Sequence, residues 1–121
     1  MHRHAGFTLL EVMVALLVVA LALAALMGTA ARSAADTAHL RDRTVAGWVA
    51  QNVVTDLRLE TEWPAPGLRH GQTVMLDRTW YWEARIAPAA DPALRRVEIT
   101  VGRNAAGEDS LGQWVTYLGA P

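Results

Sequence analysis

Two hydropathy patterns divide the chain. From Phe7 to Ala31, 21 of 25 positions are apolar, and Val12–Met27 is an unbroken run of Val, Met, Ala and Leu. No polar stripe recurs there, which predicts a helix surrounded by lipid or by other apolar helices. Twenty-five helical residues reach about 37 Å, more than a hydrocarbon core of about 30 Å requires. Beyond Ala31 the pattern turns amphipathic. Val45, Val49, Val53 and Leu57 recur at four-residue spacing beside Trp48, whereas Arg41, Asp42, Arg43, Gln51 and Asp56 fall largely elsewhere. The first proline is Pro64. One helix from near Thr8 to near Leu59 is therefore predicted, with Gly28 and Gly47 as weak points, each costing about 1 kcal/mol relative to Ala.

Glu62-Trp63-Pro64-Ala65-Pro66-Gly67 is a breaker cluster, and His70-Gly71 is read as prolonging that loop. Strand patterns follow. Gln72–Leu76 is short and ends at Asp77-Arg78. Thr79–Ala87 sets Trp80, Trp82, Ala84 and Ile86 against Tyr81, Glu83 and Arg85. Leu94–Val101 sets Val97, Ile99 and Val101 against Arg96, Glu98 and Thr100, and Leu111–Leu118 reads as a last strand. The predicted fold class is α+β: a long N-terminal helix, its second half packed on a small, mainly antiparallel sheet. Trp80 and Trp82 are expected in the sheet core, with Trp48 packing the helix onto it.

Composition narrows the chemistry. The 121 residues include no cysteine, and 11 cationic residues, all Arg, balance 12 acidic ones for a net charge of -1. Thiolate catalysis, disulfides and cysteine-based zinc sites are excluded. Without a basic cluster a nucleic-acid partner is not expected. His39 and His70 have no ligand spacing and no HExxH is present, so neither a metal nor another cofactor is assigned. Asn104, Glu108 and Asp109 form an oxygen cluster in a turn and carry no metal assignment either. Ser33 or Ser110 with a histidine lacks the G-x-S-x-G elbow, so the chain is read as non-enzymatic, with no small-molecule substrate.

Glu11 is the anomaly, an ionisable residue inside the apolar block. Such carboxylates are costly in a membrane and usually have a partner. The short polar leader Met1-His2-Arg3-His4-Ala5-Gly6 ends immediately before Phe7. A cut after Gly6 would free an α-amine four residues from Glu11. Within one helix the two groups are expected to point apart, whereas between staggered subunits they can meet. Gly6-Phe7-Thr8-Leu9-Leu10-Glu11 and the run behind it resemble the processing signal of type IV pilins and type II secretion pseudopilins. The resemblance implies cleavage by a prepilin peptidase after Gly6, N-methylation of Phe7, and pairing of Glu11 with a neighbour's N-terminus.

Trp48-Val49-Ala50-Gln51-Asn52, Asp56-Leu57-Arg58-Leu59, Trp63-Pro64, Trp80-Tyr81-Trp82 and Asp91-Pro92-Ala93-Leu94-Arg95-Arg96-Val97-Glu98 resemble, as an ordered set, I-type minor pseudopilins of type II secretion. The organisation implied is a leader over 1–6, a transmembrane and assembly helix over 7–31, and a periplasmic head over 32–121. That head would comprise the amphipathic helix half 32–59 and a sheet over 72–118. A place at the pseudopilus tip is also implied, initiating assembly for export of folded proteins across the outer membrane. The implied partners are J-, K- and H-type minor subunits, the major pseudopilin, the prepilin peptidase and the inner-membrane assembly platform. Val45, Trp48, Val49, Val53 and Leu57 are the candidate partner contacts. Three alternatives stay open on the residues: another minor pilin, a periplasmic binding module released by cleavage near Gly28-Thr29-Ala30, or a simple anchor keeping its full N-terminus.

Overall fold

In a computed structural model the described residues are 6–121; the leader positions Met1 to Ala5, with His2, Arg3 and His4, lie outside them. Five elements follow in order: α1 (Leu9–Leu59), β1 (Gly67–Met75), β2 (Arg78–Pro88), β3 (Leu94–Gly102) and β4 (Ser110–Gly119). The predicted helix is present within one residue of both expected ends, unbroken at Gly28 and Gly47. The four strands form one antiparallel sheet in the order β1-β2-β3-β4. The chain divides into two units, residues 1–39 and 40–121.

In the first unit every described residue is exposed. Its helix satisfies its backbone polar groups within the segment, as one made for a non-aqueous surrounding must, and Thr29 and Thr37 add hydroxyl bonds to the carbonyls of Ala25 and Ser33. In the second unit the helix stripe Val45, Ala46, Val49, Ala50, Val53 and Leu57 packs on the inner face of the sheet. There Trp80, Ala84, Ile86, Val97, Ile99, Val101, Leu111 and Leu118 complete the core. Period-four spacing on the helix meets period-two alternation on the strands, so each element hides one face only. At Gly47 α1 passes the Trp114 side chain of β4, and a methyl there would make ordinary contact with the ring at 3.7 Å. The outer sheet face is mixed, with Leu68, Val74, Val115 and Tyr117 exposed among charged and polar residues. Across it Arg96 donates to Glu98 at 2.8 Å, which holds the Glu98 carboxyl below the usual glutamate range and raises Arg96.

Two sequence expectations need correction. Gly67–Gly71, read as loop, belongs to β1, so the sheet spans 67–119 rather than 72–118. Gly71 sits on the core-facing side opposite Trp82, and a Cβ at that position would overlap the indole. The glycine is there to admit the ring, which is one reason a strand tolerates it. Trp48, expected against the sheet, is instead 53% exposed, because it lies on the side of α1 away from the Val45–Leu57 stripe. The two-residue β1–β2 turn also escapes its usual signal. Leu76 and Asp77 both take positive φ, 51° and 58°, as a type I′ turn requires, without the Asn-Gly pair that normally announces one.

Candidate assembly site

The apolar segment begins with a capped turn. Thr8 Oγ1 accepts the Glu11 amide at 3.2 Å, and Glu11 Oε2 accepts the Thr8 amide at 3.0 Å. This reciprocal pair is a capping box, satisfying two amide donors that a helix start leaves without partners. It also places the carboxylate where the helix dipole favours negative charge. The signal was present in the sequence as Thr8 three residues before Glu11. Glu11 thus folds back against the amide of the residue that follows Phe7.

Behind the cap, Val12, Met13, Val14, Leu16, Leu17, Val18, Val19, Leu21, Leu23, Leu26 and Met27 are all exposed. This is the one helix in the described residues long and apolar enough to cross a membrane. Phe7 is 87% exposed, and Gly6 has open space around it.

In the second unit the candidate contacts separate. Val45, Val49, Val53 and Leu57 are buried in the chain's own core. They cannot also meet a partner while the unit is folded, so that expectation is withdrawn for these four. Trp48 remains, projecting from the exposed side of α1. Thr44, Gln51 and Thr55 are exposed beside it. Trp63 is occupied too: Arg95 stacks 4.0 Å over its ring.

The other sequence candidates do not assemble into a reaction centre. His39 is exposed on α1, and His70 lies 3.6 Å from Glu83 on the outer sheet face. Asp109, one of the three turn oxygens, is engaged by Arg103. Among the described residues no group of three His, Asp or Glu side chains is placed to hold a metal ion. Sequence reading passed over Asp42, whose carboxylate meets two arginines at the start of the core; an acid at one helix position gave no hint of partners 36 and 61 residues away.

Comparison with known proteins agrees with this geometry. Residues 40–119 match the family model for type II secretion system protein I, and residues 1–27 match the prokaryotic N-terminal methylation motif. Type II secretion system protein I of Pectobacterium carotovorum is 40% identical over 104 residues, 86% of each chain. The Pseudomonas aeruginosa protein of that name is 36% identical over 109 residues, covering 90% of this chain and 84% of the relative. The Klebsiella pneumoniae one is 30% identical over the whole of both chains. Among solved structures, a chain of the GspK–GspI–GspJ complex from the enterotoxigenic Escherichia coli type 2 secretion system aligns with a TM-score of 0.61 at 28% identity. The alignment covers 68% of this chain and 98% of that one. A membrane-anchoring apolar helix under a methylation motif and a helix-on-sheet unit matching the family model lead to one conclusion: the chain belongs to the type II secretion system protein I family, the I-type minor pseudopilins.

Proposed function

We propose that this chain works as a non-enzymatic subunit at the tip of a pseudopilus, joining K- and J-type minor subunits and initiating assembly for export of folded proteins. The observation that carries the reading is the exposed apolar run headed by a single capped carboxylate. A helix meant only to anchor could cap its start with a neutral side chain, whereas a helix that leaves lipid for a bundle needs a device to set its register, and a charged cap can serve as one. The precursor sits in the inner membrane with residues 32–121 in the periplasm. Prepilin peptidase removes Met1–Gly6, Phe7 is N-methylated, and the assembly platform draws the helix out of the bilayer. H-type and major subunits follow below.

Moving from lipid to a helix bundle gains close packing rather than hydrophobic transfer, so small side chains such as Ala15, Ala20, Ala22, Ala24 and Ala25 let neighbouring backbones approach. Glu11 then meets the terminal ammonium of an adjoining subunit, exchanging its own cap for a full counter-charge. No step asks the chain for a cofactor or for its own energy source.

Co-expression with K- and J-type partners and the peptidase, followed by purification through the K-type subunit, tests the reading. The expected result is a complex in which this chain has the intact mass of residues 7–121 plus one methyl group. A chain retaining Met1, or one starting near Ala31, would refute it. Trp48→Ala in the same preparation is expected to weaken retention of the chain about tenfold or more, as loss of an exposed aromatic anchor does. Its head should melt as before, because Trp48 adds nothing to the core. Unchanged retention would remove Trp48 from the interface.

A further inference from the structure

Asp42 is the first residue of α1 that the sheet unit covers. Every described residue before it is exposed, its own side chain is 13% exposed, and the core starts three residues later at Val45. Its two oxygens serve different parts of the chain. Oδ1 accepts from Arg78 Nη1 at 3.0 Å, at the start of β2, and Oδ2 accepts from Arg103 Nη1 at 3.0 Å, just after β3.

Each arginine carries the connection onward. Arg78 lies 5.0 Å over the ring of Trp80, whose Nε1 donates to the Met75 carbonyl at 3.0 Å, so the turn at 76–77 is tied to this point. Arg103 Nε stands 2.7 Å from Asp109 Oδ2, and the Arg103 amide donates to the Asp109 carbonyl at 3.3 Å, closing the loop over 103–109. Residues 104–108 between them are exposed. The same loop forms a wall of a cleft of about 310 Å³ that Tyr81, Glu83, Thr100, Asn104 and Ser110 also line.

We propose that Asp42 is a latch: one carboxylate on the helix locks both the β1–β2 turn and the β3–β4 loop, and through the loop sets the shape of that cleft. The charges explain why it would open and not merely loosen. Two arginines and two aspartates sum to zero; take away the charge of Asp42, and Arg78 and Arg103 lose the one carboxylate they share, with Asp109 left paired to Arg103 alone. Both arginines reach solvent, so the repulsion between them is screened, and each is free to swing outward once the shared carboxylate no longer holds it.

Hydrogen exchange on the full chain in detergent tests this. Asp42→Asn, which keeps shape and removes charge, is expected to speed amide exchange about tenfold or more in both 75–79 and 103–110. Exchange at Val97–Val101 should stay unchanged. Arg103→Gln should free only 103–110, and Arg78→Gln only 75–79. The proposal fails if Asp42→Asn leaves either segment at its original rate. It also fails if Val97–Val101 accelerates equally, since that would be general loss of stability. Should Asp42→Asn not fold, the two arginine variants decide: if either one releases both segments, or neither releases its own, there is no latch.

Discussion

Glu11→Gln is expected to leave the first helical turn capped and yet to reduce recruitment of the chain into a complex with its minor-subunit partners by more than about a hundredfold. Glutamine can still accept the Thr8 amide, as it does in capping boxes generally, so the helix start survives. What it lacks is charge. In a bundle, removing one member of a desolvated ion pair costs about 3–5 kcal/mol, and each 1.4 kcal/mol is a factor of ten in affinity. Thr8→Ala is the complementary variant: it takes a hydroxyl acceptor from the cap, worth about 1 kcal/mol, and leaves the carboxylate charged, so recruitment should fall tenfold at most. Purification through a partner subunit, with quantitative detection of this chain, reads both. Recruitment of Glu11→Gln equal to that of the parent would show that Glu11 matters as a cap and not as a counter-ion. On the proposed pairing, the capped carboxylate of the isolated chain is a resting arrangement that exchanges its 3.0 Å hydrogen bond from the Thr8 amide for a full opposite charge.

What the sequence made legible follows from the range of the interactions involved. The helix limits came from local facts, a polar Thr8 before the apolar run and a proline cluster after Leu59, and the structure reproduces them. Strands β2 and β3 came from period-two alternation, because their two faces meet different surroundings. Of β1 only the second half, Gln72–Leu76, was read, since the core side of the first half carries Arg69 and Gly71, a polar and a small residue on an edge strand packed under Trp82. Trp48 was misplaced for a related reason. It adjoins Val49 in sequence, but a helix turns by 100° per residue, so a neighbour in the chain points well away from the buried stripe. Glu11 was found as an anomaly of composition and Asp42 was missed altogether, because only the fold brings Arg78 and Arg103 to it.

Trp80→Ala carries the largest expected loss of stability in the sheet unit. Trp80 is 1% exposed and among the largest fully buried side chains of the core. Truncating a buried tryptophan costs about 3–5 kcal/mol, a sizeable share of the roughly 5–15 kcal/mol that holds a domain folded. Two further losses come with it: the Met75 carbonyl loses its indole donor, and Arg78 loses the ring beneath its guanidinium. Trp80→Phe separates these effects, since it keeps most of the volume and gives up the hydrogen bond, at about 1–2 kcal/mol. Near-UV circular dichroism on heating the full chain in detergent reports the core without interference from the apolar helix, which stays helical in the micelle. The expected order of Tm is parent, then Phe, then Ala, with Ala at least about 12 °C below the parent. An Ala variant melting with the Phe variant would mean that the cavity closes and that the Val97–Val101 strand and the Val45–Leu57 stripe hold the unit without the indole. In either case the β1–β2 turn, tied to this ring through Arg78 and the Met75 carbonyl, should open in the Ala variant with Asp42 intact, while the 103–109 loop, held by Arg103 and Asp109, stays closed.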